Sequence, residues 1–212
     1  TFGLVDQNTA DHCGGGIYLF NSNGKSNTLT INDGTISNNI STTGDGGGMY
    51  SAGSTVSIFG GTIYKNDTSM GNGGGLCAVS ASNITVSGGS IYKNKACGNG
   101  GGIYAGDSAA VVVRKDAEKL TYGIIRENQA CNGGGVFVTN GATLTVDEGQ
   151  ITFNKAVGTT SSITTGYREY SNLVGTGGGI CVANNSDSDL RATFTLTGST
   201  TDMTNMAIYG NL

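Results

Sequence analysis

Aliphatic residues recur along the chain at a fixed distance from glycine triplets. Each triplet is followed by one aliphatic residue and then by an aromatic residue or a cysteine, a pattern that predicts a short strand. The triplets begin at Gly14, Gly46, Gly73, Gly100, Gly133 and Gly177, at spacings of 32, 27, 27, 33 and 44 residues. Self-similarity of this kind is typical of repeat architectures in which each unit stacks on the next.

Two more short strands are predicted in each repeat. Polar and apolar residues alternate downstream of the triplet, as in Thr28 to Ile31 and Thr143 to Val146, and a period of two marks a half-buried strand. A glycine turn then leads into a segment that begins with isoleucine and ends with asparagine, such as Ile63 to Asn66. Three short strands therefore make one coil.

A coil of this size cannot bury its apolar face alone, so we predict that the coils stack in parallel. The predicted fold is an all-β, right-handed parallel β-helix of about six coils of ~27 residues, with two longer loop insertions. Aliphatic side chains should line the interior, and asparagines should form a column at a turn, where they tolerate left-handed backbone and bond to their neighbours. Glycine triplets are expected at the opposite corner. A β-propeller is the alternative, but its blades usually need about 40 residues or more.

The two insertions are the first candidate binding sites. The longer one, residues 157–176, contains Tyr167, Arg168, Glu169 and Tyr170, and the other lengthens the fourth repeat at residues 111–122. Loops that project from a rigid scaffold are where binding usually resides. The chain begins and ends at the same point of the repeat without recognisable caps, so we expect residues 1–212 to be a single β-helix domain excised from a longer array.

Composition and charge exclude several classes of partner. Charged residues make up 12% of the chain and the net charge is −4, so little drives binding to nucleic acid. No apolar run approaches the roughly 20 residues of a membrane-spanning helix, and no signal segment opens the chain. We predict no nucleic acid partner and no membrane insertion by this segment.

The paired motifs carry a family resemblance. Gly-Gly-Gly-Ile-Tyr together with Ile-x-x-Asn-x-Ala, as at 151–156 and 91–96, resembles the GGA(I/L/V) and FxxN repeats of the chlamydial polymorphic outer-membrane proteins and the adhesin-like β-helix repeats of gut bacteria and archaea. The resemblance spans nearly the whole chain. It implies an extracellular or cell-surface, autotransporter-like passenger or stalk involved in adhesion.

An enzyme of the polysaccharide lyase or glycoside hydrolase class is the runner-up, because such enzymes also use this fold. It would need carboxylates and a cation converging in a groove. The closest acidic groupings are Asp147 with Glu148, which should point apart, and Asp187 with Asp189, which lie in a polar loop. The favoured prediction is therefore a non-enzymatic module with no catalytic residues.

The five cysteines have no metal-ligand spacing, so neither a metal nor any cofactor is predicted. Cys97 and Cys131 precede consecutive triplets by three and two residues, which places them on neighbouring coils and predicts a disulfide where the local geometry allows it. Cys77 and Cys181 share a column several coils apart and are expected to act as packing residues. A nucleophile formed by Cys13 with His12, the one histidine, lacks the further partners it would need.

Aromatic and cationic side chains form a second candidate binding surface. Tyr64 and Tyr92 precede Lys65 and Lys93 at equivalent positions of adjacent coils, where aromatic rings either pack along the ladder or stack on sugars and anchor a protein. Thr-x-Thr columns on another face raise an ice-binding hypothesis, although threonine is also a good strand former.

We predict adhesion or display, with a glycan or surface protein of a host or neighbouring cell as partner. A pure scaffold is the remaining alternative.

Overall fold

The structure is a computed structural model that describes residues 3–22, 24–158, 175–183 and 190–197, and the backbone of 207–209. This part of the chain contains strands and turns, and no helix long and apolar enough to cross a membrane occurs in it. The strands form four parallel sheets, which confirms the predicted all-β parallel β-helix of about six coils. The prediction of three strands per coil is wrong, because a two-residue strand follows each of the asparagine turns that the structure describes.

The four sheets are named A to D in the order in which the chain first enters them. Sheet A contains β1 (Leu4–Asp6), β5 (Thr35–Ser37), β9 (Thr62–Tyr64), β13 (Ser90–Tyr92), β18 (Ile124–Arg126), β22 (Gln150–Thr152) and β26 (Ala207–Tyr209). Sheet B contains β2 (Thr9–Ala10), β6 (Ile40–Ser41), β10 (Asp67–Thr68), β14 (Lys95–Ala96), β19 (Gln129–Ala130) and β23 (Lys155–Ala156).

Sheets C and D complete each coil. Sheet C contains β3 (Ile17–Phe20), β7 (Met49–Ala52), β11 (Leu76–Val79), β15 (Ile103–Ala105), β20 (Val136–Val138) and β24 (Ile180–Val182). Sheet D contains β4 (Thr28–Ile31), β8 (Thr55–Ile58), β12 (Asn83–Val86), β16 (Ala110–Asp116), β21 (Thr143–Asp147) and β25 (Thr193–Thr197), and β17 (Thr121–Tyr122) pairs antiparallel with β16. Coils 1 to 6 are numbered from the six glycine triplets.

The hydrophobic core is a set of aliphatic columns that run through the middle of the coils. In sheet A, Ile36, Ile63, Ile91, Ile125 and Ile151 pair directly with one another from coil to coil. Each is at most 5% exposed. The inward residues of sheets C and D continue the same core. Alternation of inward and outward side chains along each strand therefore decides which face is buried.

Asparagines form a buried ladder at the turn between sheets A and B, as predicted. Asn66 shows the arrangement: its backbone N–H and its Nδ2 both donate to Oδ1 of Asn94, each at 3.0 Å, and Nδ2 also donates to the carbonyl of Ile36. Its own Oδ1 accepts two hydrogen bonds from Asn39. The ladder contains Asn8, Asn39, Asn66, Asn94, Asn128 and Asn154.

The left-handed backbone at this turn belongs to the residue before each ladder asparagine. Gln7, Asn38, Lys65, Lys93, Glu127 and Phe153 have φ between 52° and 57°. The expectation that asparagine itself would take this conformation is wrong. Its contribution is the hydrogen bonding of its amide, which requires an ordinary backbone so that the side chain lies inside the coil.

The glycine triplets pack against the asparagine turn and the first residue after it. The expectation that they form the opposite corner of the coil is therefore wrong. The first glycine of each triplet has φ between 58° and 72°. At the second glycine of coil 3, Gly74, a Cβ would lie 2.4 Å from the carbonyl oxygen of Lys95 and 2.7 Å from that of Gly101. Glycine is required here because two backbones meet with no room for a side chain.

Candidate functional site

A stacked column of aromatic and cationic side chains runs along the outer face of sheet A. The rings of Tyr64 and Tyr92 lie 5.1 Å apart and are almost parallel, with an interplanar angle of 6°. The guanidinium of Arg126, on the next coil, lies 4.4 Å from the centre of the Tyr92 ring. Stacking of Arg on an aromatic face is a favourable cation–π contact.

Charged side chains flank this column. They belong to Lys65, Lys93 and Glu127, the residues with left-handed backbone that follow Tyr64, Tyr92 and Arg126. The Nζ atom of Lys65 lies 5.8 Å from the Tyr64 ring centre, and that of Lys93 lies 3.4 Å from a carboxylate oxygen of Glu127. Glu127 also contacts Arg126. We call these six residues, Tyr64, Lys65, Tyr92, Lys93, Arg126 and Glu127, the ridge.

The ridge joins all four predicted aromatic and lysine candidates that the structure describes. Tyr64 and Tyr92 are partly exposed, and Lys65 and Lys93 are exposed. Sequence reasoning missed Arg126 and Glu127, although their place in the repeat, two and one residues before Asn128, is the same as that of the Tyr-Lys pairs. The other predicted binding residues, Tyr167, Arg168, Glu169 and Tyr170, lie outside the described residues.

A second aromatic column lies on the outer face of sheet C. Tyr18 stacks on Tyr50 at 5.2 Å, and Tyr104 stacks on Phe137 at 5.7 Å. Cys77 occupies the position between these two pairs and is fully buried. Its role as a packing residue in place of an aromatic ring is therefore confirmed.

Burial changes the titration of this second column. Burial, with smaller effects from Cys77, Asp107 and Asp45, raises the pKa of Tyr104 to about 12. Burial also raises the pKa of Cys77 well above its ordinary value. A thiol and a phenol held in their neutral forms are poor nucleophiles, so this column has the chemistry of a packing surface.

A second polar ladder, which sequence reasoning missed, precedes the glycine triplets. Asn72 donates from its backbone N–H and its Nδ2 to Oδ1 of Asp45, at 2.6 and 3.1 Å. The N–H of Asn99 donates to Oδ1 of Asn72, and Nδ2 of Asn132 donates to Oδ1 of Asn99, both at 2.9 Å. The signal in the sequence was an Asp or Asn directly before four consecutive triplets.

The cysteine predictions have mixed outcomes. Cys97 and Cys131 lie on neighbouring coils as predicted, and both are free thiols in this structure, with Sγ of Cys131 2.5 Å from the carbonyl oxygen of Cys97. Whether they oxidise to a disulfide stays a prediction. Burial raises the pKa of Cys13, which is the opposite of what a Cys13–His12 nucleophile pair would need.

The acidic groupings do not converge on a shared site in the described residues. Oδ1 of Asp147 accepts a hydrogen bond from Thr197 at 2.9 Å, whereas Glu148 lies 3.4 Å from Nζ of Lys115. Asp187 and Asp189 lie outside the described residues. Within the part of the chain that is described, no group of three or more His, Cys, Asp or Glu side chains could hold a metal ion.

The Thr-x-Thr columns do align across the coils of sheet D. Thr28 pairs with Thr55, and Thr30 pairs with Ser57. The array is interrupted in coil 4, where Ala110 and Val112 stand at the equivalent positions. Ice binding through this face stays a hypothesis that the interruption weakens.

Comparison of the chain with protein-family models, with curated protein sequences and with solved structures found no match. The resemblance to chlamydial and adhesin-like repeats therefore stays a prediction. The class of protein that the fold defines is a parallel β-helix repeat protein, and its function has to be argued from its own surfaces.

Proposed function

We propose that this chain is a non-enzymatic module of a cell-surface or secreted protein and that it binds an acidic glycan along the ridge. The observation that carries the proposal is the stacked column of Tyr64, Tyr92 and Arg126, flanked by the exposed amines of Lys65 and Lys93. The rings are partly exposed, and their edges offer apolar C–H groups and phenolic hydroxyls to a sugar, whereas Arg and Lys suit carboxylate or sulfate groups.

The geometry of the ridge favours an extended ligand over a compact one. Its rings and guanidinium follow one another at 5.1 and 4.4 Å along the axis of the solenoid, on three successive coils. A polymer lying parallel to that axis would meet equivalent contacts on each coil. Repeated weak contacts of this kind raise the overall affinity through a high effective concentration.

The charge of the ridge favours an acidic glycan over a neutral one. The chain as a whole has a net charge of −4, yet the ridge contains three cationic side chains and one carboxylate. Lys95 and Lys155 are exposed on neighbouring sheet B, where Asp67 lies beside Lys95 and offsets its charge. A local positive surface on an acidic protein attracts an anionic polymer to one place and disfavours its binding elsewhere.

Binding to polygalacturonate and hyaluronan, with dextran as the neutral comparison, tests the proposal by isothermal titration calorimetry. We expect the double variant Tyr64→Ala/Tyr92→Ala to bind the acidic polymers roughly tenfold more weakly or worse. The matched control is Tyr18→Ala/Tyr50→Ala, which removes the stacked pair of sheet C and should change the affinity less than about twofold. Replacing Lys65 and Lys93 by Ala should make binding less sensitive to salt.

Other outcomes would favour the alternatives. Equal losses in the ridge and control variants would contradict a role for the ridge, and no binding to any polymer would favour a pure scaffold, with recognition elsewhere in the protein. Capture of a surface protein that the ridge variant fails to capture would replace the glycan by a protein partner.

Release of shorter products from a polymer would favour the lyase or hydrolase alternative. That alternative has one observation in its support, since Asp116 and Glu118 lie beside Arg114 and Lys115 around one cavity. Both carboxylates, however, lie on the same turn, so they do not face each other across a bound chain as the two carboxylates of a glycosidase do.

A further inference from the structure

The insertion in coil 4 is a hairpin that folds back over earlier coils. Strand β16 continues past the corner between sheets D and A, and the chain returns as β17, with Lys115 paired to Tyr122. Beyond β16, Nζ of Lys119 lies 5.9 Å from the ring centre of Phe59, a residue of coil 2. The hairpin therefore covers the same corner of coils 2 and 3.

A cavity of about 330 Å³ lies beneath the hairpin. Residues of three successive coils line it, among them Phe59 of coil 2, Ser87 of coil 3, and Arg114 and Asp116 of coil 4. This volume is at the lower end of the range for small-molecule sites, ~300 to 1,000 Å³, and suits a ligand of about one sugar ring.

Two buried hydroxyl groups at this corner lack hydrogen-bond partners in the described part of the chain. Ser87, which lines the cavity, is 1% exposed, and its Oγ bonds to nothing described. Oγ of Ser90, three residues later, is in the same state. Buried hydroxyls in native proteins are nearly always bonded, so an unpartnered one in a cavity wall has hydrogen-bonding capacity left for a ligand.

The charged groups of the cavity divide into those already paired and those still available. Lys115 is paired with Glu148 at 3.4 Å, and Oδ1 of Asp116 accepts backbone hydrogen bonds from Glu118 and Lys119 at 3.0 and 3.1 Å. The bond from Lys119, reinforced by that from Glu118, lowers the pKa of Asp116, so this carboxylate is charged at neutral pH. Arg114 is exposed and forms no ion pair with any described residue.

We propose that this cavity binds a sugar acid, a ring of monosaccharide size with several hydroxyl groups and one carboxylate. Arg114 is the available partner for the carboxylate, since its planar guanidinium donates two parallel hydrogen bonds to such a group. Ser87 Oγ bonds a ring hydroxyl, and the carboxylates of Asp116 and Glu118 accept hydrogen bonds from others. The two carboxylates in the cavity lining would repel a second negative charge on the ligand, which disfavours a phosphate relative to a single carboxylate.

The cavity is separate from the ridge, and its ligand is either a free sugar acid or one unit of a longer chain. Titration of the protein with glucuronate, monitored by NMR chemical shifts, tests the free form, and a glucuronate-containing tetrasaccharide tests the chain. Glucose and glucose 6-phosphate are the comparisons. We expect glucuronate to bind, glucose to bind at least about tenfold more weakly, and the phosphate to gain nothing over glucuronate.

Substitutions in the cavity wall should weaken glucuronate binding, roughly tenfold for Arg114→Gln and about threefold or more for Ser87→Ala. Arg191→Gln, at an exposed arginine far along the chain, is the matched control and should have no effect. The NMR shifts of Ser87 and Arg114 report on the cavity, and polymer binding by the Tyr64→Ala/Tyr92→Ala variant reports on the ridge, so failure of the ridge proposal and failure of this one are distinguishable. Equal binding of glucose and glucuronate, tighter binding of the phosphate, or unaltered binding by Arg114→Gln would overturn the proposal.

Discussion

The two corners that flank sheet A treat buried polar side chains in opposite ways. At the corner with sheet B, each interior asparagine of the ladder is saturated: Asn94 donates to Asn128 and to the carbonyl of Ile63 and accepts two bonds from Asn66. At the corner with sheet D, Ser87 and Ser90 are covered and unpartnered among the described residues. The first corner recurs in coils 1 to 5, whereas the second is altered by a hairpin present in coil 4 alone of the described coils.

This difference separates what holds the solenoid together from what the solenoid can bind. A saturated ladder has no free donor or acceptor to offer a ligand, but each of its bonds stabilises the stack. At the corner with sheet D, the unpartnered hydroxyls lower the stability of the fold but remain able to bond a ligand. Departures from an otherwise consistent repeat are expected at functional sites, and the hairpin corner is such a departure.

The largest expected effect is at the saturated corner. Replacing Asn94 by Ala leaves the N–H and Nδ2 of Asn66 without partners in the interior and removes one hydrogen bond to the carbonyl of Ile63. At about 1 to 3 kcal/mol for each unsatisfied group, we expect the free energy of unfolding to fall by roughly 3 to 5 kcal/mol in urea titrations. The control is Asn8→Ala at the exposed end of the ladder, where water replaces the lost bonds and the loss should stay below about 1 kcal/mol. Similar losses at both positions would contradict the ladder as a buried network.

The next effect concerns the close approach of the triplets to the asparagine turn. Gly74→Ala places a methyl group 2.4 Å from the carbonyl oxygen of Lys95, so the two backbones must separate. We expect a loss of about 1 to 3 kcal/mol in the free energy of unfolding, measured in the same titrations. Gly3→Ala is the matched control, because a Cβ there meets no atom within 4 Å. A neutral Gly74→Ala variant would show that the triplet glycines are not needed for close packing.

The smallest expected effect is at the corner between sheets D and A. Here one substitution should raise the free energy of unfolding and its control should lower it. Ser87→Ala removes a buried hydroxyl without a partner, so we expect the free energy of unfolding to rise by up to about 1 kcal/mol. In Ser82→Ala the lost hydroxyl is bonded, since Oγ of Ser82 lies 2.8 Å from the carbonyl of Val79 and accepts the N–H of Ser54 at 3.2 Å. That variant should lose about 1 to 2 kcal/mol. Equal destabilisation by both substitutions would mean that Ser87 has a structural partner such as an ordered water, and the comparison would fail.

The sequence predicted the candidate site only in part. The equivalence of Tyr64 and Tyr92 was visible because both precede a Lys-Asn pair, and their stacking follows from parallel register. Arg126 has the same place in the repeat, but its residue type differs, and only the structure shows that its guanidinium stacks on Tyr92. The cavity was invisible for another reason: Phe59, Ser87 and Arg114 come from three coils, and no local pattern relates them.

By itself the sequence determined the solenoid, because glycine triplets, period-two alternation and a recurring asparagine are local signals that every coil repeats. Stacking those coils leaves one register in which isoleucine lies on isoleucine and asparagine on asparagine. Only the tertiary structure decided that the triplets pack against the asparagine turn, that a left-handed residue precedes each ladder asparagine, and that a hairpin forms one wall of a cavity. These features depend on distances between coils and on which polar atoms find partners, and a one-dimensional repeat does not contain that information.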